Sequence, residues 1–308
     1  MSARATLSKP AEAFLAELPE PVYEPLERET IGRRRALLRL AYTPGAERAI
    51  ARHQVRTAEI EIAGVPCLEV LPESPQAGRT ILYCYGGGFV VGSPFEDLTI
   101  SAALAQGTGA RVVSVNYRLA PEHPFPAARD DGLAVYRALA ADGAPGALAL
   151  AGESAGGNLA LILLQQIYKE GLALPCALAL LSPWADISNL GDSFAANRDP
   201  TLNLRNLEDA AHAYADGRDR RDPALSPLYG DFGPWVPPTL ISSGTRDLLL
   251  SGCVRLARVM REAGSPVELR VWEGLWHVFE FFDQVPEGAL SLGEFARFLD
   301  AVFDGQRP

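Results

Sequence analysis

Apolar residues fall along this chain in short runs, separated by longer segments where they return every third or fourth position. The runs at residues 81–85, 112–115, 148–151, 177–181, 239–242 and 267–271 have the length and composition of buried strands. Helical spacing occupies residues 97–107, 128–141, 155–170, 252–263 and 291–303, in alternation with those runs. Strand, loop and helix repeated in that order predict an α/β fold, a mostly parallel sheet with helices on both faces. Ahead of the first unit, residues 55–70 alternate on either side of Ala63-Gly64 and predict a hairpin.

Residues 11 to about 43 read as two helices separated by Pro19, Pro21 and Pro25. Leu37, Leu38 and Ala41 give the second an apolar stripe, and Arg33 to Arg35 form a solvated run. Residues 188–228 break the strand–helix rhythm: they hold no strand, are rich in charge and turn residues, and carry one helical pattern, LEDAAHAYA. The expected organisation is N-terminal cap helices in 1–45, an α/β core in 46–187 and 229–308, and a cap insertion in 188–228.

The candidate chemistry centres on Gly152-Glu153-Ser154-Ala155-Gly156. A strand before it and a helix after it fit a sharp turn that presents the Ser154 hydroxyl at its tip, beside the positive end of the helix. The plain alternative is a Gly/Ser turn that merely joins strand to helix. A serine hydroxyl needs a base, and imidazole is the usual one near neutral pH. Of the four histidines, His53 lies among charged residues, His123 sits in a proline-rich turn and His212 is on the insertion's helix. His277 follows the last strand, at the carboxyl end where sites of open parallel sheets collect.

Asp247 follows the penultimate strand and can hold the imidazole in one tautomer; otherwise it is a helix cap or a partner of Arg246. The order Ser, Asp, His suits a nucleophile placed mid-sheet. Gly86-Gly87-Gly88 after the first parallel strand lets backbone amides approach a substrate oxygen, and the amide of Ala155 is a further donor. The same glycines lack the G-K-[ST] or G-x-G-x-x-G context of a phosphate site.

Composition narrows the class. Over 308 residues, 48% are hydrophobic, enough for a large core, and the net charge of −10 argues against nucleic acid or anionic membrane as partner. The first residues lack a signal peptide's apolar run, and no later run could span a bilayer. The four cysteines stand singly beside apolar residues, as core fillers in a reducing, cytoplasmic setting. No His/Cys/Asp cluster has metal-ligand spacing, so no metal is expected.

Four stretches together resemble the hormone-sensitive-lipase-like branch of the α/β-hydrolases, the bacterial esterase group: Tyr85-Gly86-Gly87-Gly88-Phe89; Asn116-Tyr117-Arg118-Leu119-Ala120-Pro121-Glu122 with Phe125-Pro126-Ala127-Ala128; Gly152 to Gly157; and the Asp247 and His277 loops. The resemblance implies an α/β-hydrolase fold with an eight-stranded sheet and a helical cap, cleaving short-to-medium acyl esters without cofactor. Ser154 is then nucleophile, His277 base, Asp247 orienting acid, and Gly87, Gly88 and Ala155 the oxyanion donors. Phe89, Trp184 and Phe279 become candidate pocket walls.

Three positions depart from the family pattern: Tyr85 for its histidine, Glu153 for the commoner aspartate, and Val278 for a glycine. None removes a catalytic atom. The expected substrate is a small-molecule ester or lactone. Amidase action by the same triad and a non-catalytic receptor on this scaffold are the alternatives. The strand at 267–271, at an exposed edge, is where a homodimer could pair.

Overall fold

The computed structural model describes residues 7–143 and 147–306; the first six residues of the amino-terminal stretch discussed above lie outside it. Eight strands form one sheet: β1 (Arg56–Ile62), β2 (Val65–Leu71), β3 (Thr80–Cys84), β4 (Arg111–Val115), β5 (Leu148–Glu153), β6 (Leu178–Leu181), β7 (Thr239–Gly244) and β8 (Val267–Trp272). Their spatial order is β1-β2-β4-β3-β5-β6-β7-β8, antiparallel at β1–β2 and β2–β4 and parallel elsewhere. Strand β5 therefore lies inside the parallel part of the sheet. The β1–β2 hairpin turns on Ala63 and Gly64, both at positive φ (52° and 78°), which suits the twist of a two-residue loop.

The helices are α1 (Lys9–Glu17), α2 (Ile31–His53), α3 (Leu98–Thr108), α4 (Ala127–Asp142), α5 (Ser154–Lys169), α6 (Ser193–Ala196), α7 (Leu204–Ala215), α8 (Leu250–Glu262) and α9 (Pro286–Phe303). On one face α3 packs against α9 and α2; α4, α5 and α8 pack on the other. The central strands are buried on both faces, so β5 and β6 read as continuous apolar runs.

The N-terminal boundary differs from the sequence expectation. Helix α2 does not stop near residue 43 but continues through Pro44 to His53, so a boundary at 45 falls inside it. Its second half is held by burial of Ala46 and Ala49 and by Arg48 and Arg52 on Asp283, which together offset the hydrogen bond that proline removes. Helix α9 likewise begins at Pro286, five residues before the expected start, because proline is well suited to a first helical turn.

Insertion 188–228 contains α6 and α7. The Asn203 side chain caps α7, accepting from the amides of Arg205 and Asn206. Asn203 and Asn206 also donate to the carbonyls of Pro21 and Val22, and Tyr23 donates to Asp209, so the segment between α1 and α2 lies along α7. Cys67, Cys84 and Cys253 are buried, Cys176 is half-buried, and all four are free thiols.

Candidate active site

Strand β5 ends at Glu153, and α5 begins with Ser154 at φ +52°, a left-handed conformation that a non-glycine residue adopts at a cost. The turn is possible because its neighbours have no side chain. A Cβ on Gly152 would meet the Gly156 carbonyl, and one on Gly156 would overlap the carbonyls of Cys84 and Tyr85 at the end of β3. The serine is thereby held at the carboxyl end of the sheet, at the first turn of α5.

His277 reaches it from the loop after β8. The acid and histidine loops are zipped together: Thr245 N–H donates to the Trp272 carbonyl and Arg246 N–H to that of Leu275, at 3.0 and 2.8 Å. His277 Nε2 lies 2.9 Å from Ser154 Oγ, and Nδ1 lies 3.1 Å from Asp247 Oδ1. Asp247 is fully buried; its Oδ1 also accepts the Leu249 amide and its Oδ2 the Ser243 hydroxyl. Burial alone would lower the His277 pKa. The Asp247 carboxylate, by charge and hydrogen bond, with Asp199 and Glu153 behind it, outweighs burial and raises it to about 9.

Gly87 and Gly88 follow β3 at φ +103° and +64°, and a Cβ on Gly87 would overlap the Val91 carbonyl. Among the described residues neither amide donates to a protein acceptor. The Ala155 amide lies in the first turn of α5, where a helix offers it no partner. These three amides can receive an oxyanion.

The stretch from Asn116 to Glu122, whose sequence suggested no mechanism, braces this loop. Tyr117 stacks on Tyr85 at 4.3 Å, and its hydroxyl donates to the Tyr85 carbonyl at 2.7 Å. The Ala120 amide donates to the Phe89 carbonyl, and Arg35 joins the Val90 and Ala120 carbonyls to the Glu122 carboxylate. The Tyr85 phenol reaches the Tyr117 carbonyl only at 3.4 Å, so stacking is its main contribution.

A cleft of about 280 Å³ opens over Ser154 and His277, with Leu38, Tyr42, Leu202, Leu207, Phe281 and Phe282 among its walls. Phe89, Trp184 and Phe279 are not among its lining residues. Phe89 stacks on Tyr214 at 3.7 Å, Trp184 donates its indole N–H to Asn189, and Phe279 tilts against Trp272, all three buried. They belong to the core, because aromatic residues next to catalytic motifs also carry the packing that holds those loops. The other three histidines stand apart from Ser154: His123 and His212 are exposed, and His53 is half-buried at the end of α2.

Sequence reasoning missed the acids beside the triad. The Glu153 carboxyl fills the space a Cβ on Gly86 would take, and burial, then the Asp97 charge, pushes its pKa well above the usual carboxylate range. Burial raises Asp97 to about 7 despite its hydrogen bond from Tyr83. Asp199, in the insertion, accepts the His277 backbone amide at 3.0 Å. Its one local sign was Asp199-Pro200 in an otherwise irregular segment, which names no partner. Val278, where the family has glycine, sits at φ +45°.

Comparison with known proteins places the chain among esterases of this fold. The sequence profile of the alpha/beta hydrolase fold family matches residues 81–281. An acetyl-hydrolase of Streptomyces hygroscopicus is 36% identical over 265 residues, which span 85% of this chain and 88% of its own. The crystal structure of an esterase superposes with a TM-score of 0.88 at 33% identity, covering 97% of this chain and 95% of its own. A hormone-sensitive lipase from a metagenome library gives a TM-score of 0.86 at 32% identity, covering 97% and 100%. The family match, the superposed structures and these relatives lead to one statement: the chain belongs to the α/β-hydrolase family, in its hormone-sensitive-lipase-like branch of esterases.

Proposed function

We propose that this protein hydrolyses carboxylic esters of short-to-medium acyl chains through an acyl-enzyme on Ser154. The observation that carries the reading is the hydrogen-bonded line from Ser154 Oγ through His277 to Asp247. Ser154 Oγ attacks the ester carbonyl as His277 Nε2 takes its proton. The oxyanion lies on the amides of Gly87, Gly88 and Ala155, and Asp247 keeps the imidazole in the tautomer whose Nε2 is free to accept. Collapse expels the alcohol, which receives the proton from His277. A water, deprotonated by the same nitrogen, then frees the acid and restores the serine.

The acyl range rests on the size of the cleft and its apolar walls, and on the acetyl-hydrolase among the relatives. Insertion 188–228, with the N-terminal segment, forms the cap over it. The lactonase, amidase and receptor readings are not favoured: the relatives are named for ester cleavage and the three triad side chains are in register. No helix among the described residues is long and apolar enough to cross a membrane. Four unpaired cysteines suit a reducing compartment, and the cytoplasm is the proposed location. The half-exposed edge strand β8 is the proposed place for pairing in a homodimer, which light scattering tests.

The test is hydrolysis of p-nitrophenyl esters from acetyl to dodecanoyl, wild type beside Ser154→Ala. Turnover should peak at short chains and vanish in the variant. Wild-type turnover in the variant, or a protein that neither hydrolyses any ester nor takes a fluorophosphonate on Ser154, overturns the reading.

A further inference from the structure

We infer that Asp199 is a positioning residue that ties the cap to the catalytic histidine and holds the imidazole in its working place. This rests on the serine–histidine reading above. Both oxygens of the buried Asp199 carboxylate are spent. Oδ2 accepts the His277 amide at 3.0 Å, while Oδ1 accepts the Thr201 amide and hydroxyl at 2.9 Å each and the Leu202 amide at 3.0 Å. One side chain thus fixes two backbones: the loop that carries the base, and the strap that enters α7.

The strap is sewn to the acid loop as well. Asn197 donates to the Asp247 carbonyl at 2.7 Å, and the Ser193 hydroxyl to that of Leu248 at 2.6 Å. Directly beyond Asp199, Thr201, Leu202 and Asn203 line the cleft. A substrate seated there presses on the residues whose amides share a carboxylate with His277. Occupancy of the cap side is therefore felt at the base through one hydrogen-bonded group.

Charge adds a second effect. Three carboxyl groups face the His277 ring: Asp247 from the loop after β7, Glu153 from the end of β5, and Asp199 from the insertion. Asp199 is faced in turn by Asp247 and His277; burial and the Asp247 charge raise its pKa, while His277 and the amides of Thr201 and His277 oppose them. Asp199 adds to the field that favours the imidazolium, the form His277 takes after each proton transfer.

The plain alternative is a carboxylate that caps the strap and nothing more. It predicts that Asp199→Asn and Asp199→Ala lower Tm and leave the histidine untouched. The positioning role predicts that kcat for p-nitrophenyl acetate falls roughly tenfold or more in Asp199→Ala, with KM within about threefold. It also predicts that the acid limb of kcat/KM moves to lower pH in both variants, since each removes an anion near the imidazolium. Asp199→Asn is nearly isosteric and keeps one acceptor oxygen, so its kcat loss is smaller and it decides the matter if Asp199→Ala does not fold. The rate of fluorophosphonate labelling across the same pH series reads the limb without turnover. An acid limb and kcat unchanged in Asp199→Asn, with only Tm lowered, overturn the proposal. Turnover retained in Ser154→Ala instead overturns the serine reading, and the two failures are distinct.

Discussion

The floor and the roof of the cleft are built by opposite means. The floor is backbone: Gly152, Gly156 and Gly87 bring chain against chain where a Cβ would overlap a carbonyl, and the amides that face the cleft belong to glycines and a helix start. The roof is side chain: Asn203 and Asn206 hold the N-terminal segment, Asp199 and Asn197 hold the triad loops, and Tyr214 stacks on Phe89. A backbone-built surface tolerates loss of a functional atom and fails when an atom is added. A side-chain-built surface fails by degrees as its contacts are removed.

That difference can be broken or sharpened by experiment. The largest effect is expected for Ser154→Ala: turnover falls by about 10⁴-fold or more, while the thermal transition stays within about 2 °C of wild type, because a hydroxyl at the tip of a turn contributes little to packing. Initial rates and calorimetry check both. A large loss of stability would show that the floor depends on the side chain after all. Next comes Gly156→Ala, which forces a methyl group onto the Cys84 carbonyl and should cost about 3 kcal/mol in a denaturant titration. A neutral result would mean that the floor can yield.

The dependence on pH follows from the raised pKa of His277. In the proposed mechanism His277 acts as neutral imidazole, so kcat/KM should climb through an apparent pKa above the ordinary 6.5, toward about 9. Stability runs the other way. A pKa raised on folding gives a contribution that is complete below 6.5 and is lost as pH rises through about 9. Activity and Tm measured from pH 6 to 10 should cross, and His277→Ala should remove this component of the stability change. Tyr85→His should keep kcat/KM within about tenfold, because in the proposed mechanism backbone amides carry the oxyanion, and the phenol makes only a 3.4 Å contact. A loss of several hundredfold would move the side chain into the floor's machinery. The smallest effect belongs to the roof: Asn203→Ala removes the cap of α7 and should cost about 1 kcal/mol, with KM raised and kcat nearly unchanged.

The same contrast explains what the sequence disclosed. Glycine beside a serine between an apolar run and a helical pattern is a local signature, and so is a glycine triplet after a strand; both write backbone conformation into residue type. That Ser154, Asp247 and His277 come together was legible because each follows a strand at one end of a parallel sheet. Asp199 was not, since its partner lies 78 positions away and nothing in its neighbours encodes the approach. Glu153 was seen as a departure from its family, but not as a carboxyl buried against Gly86. Phe89, Trp184 and Phe279 failed as pocket walls for a related reason: an aromatic residue's identity does not say which side of a loop it faces. Helix α2 runs ten residues past the expected end near 43, and the burial of Ala46 and Ala49 that carries it through Pro44 comes with its packing on α3.

Val278 sits at φ +45° beside His277, a buried residue that also borders the cleft. Valine and glycine codons differ at a single nucleotide, so the residue that would relax this backbone is one mutational step away. The same step removes an isopropyl group next to His277. At this position relief of conformational strain and loss of side-chain volume arrive in one event, so the valine is retained against its backbone cost by the core packing it makes.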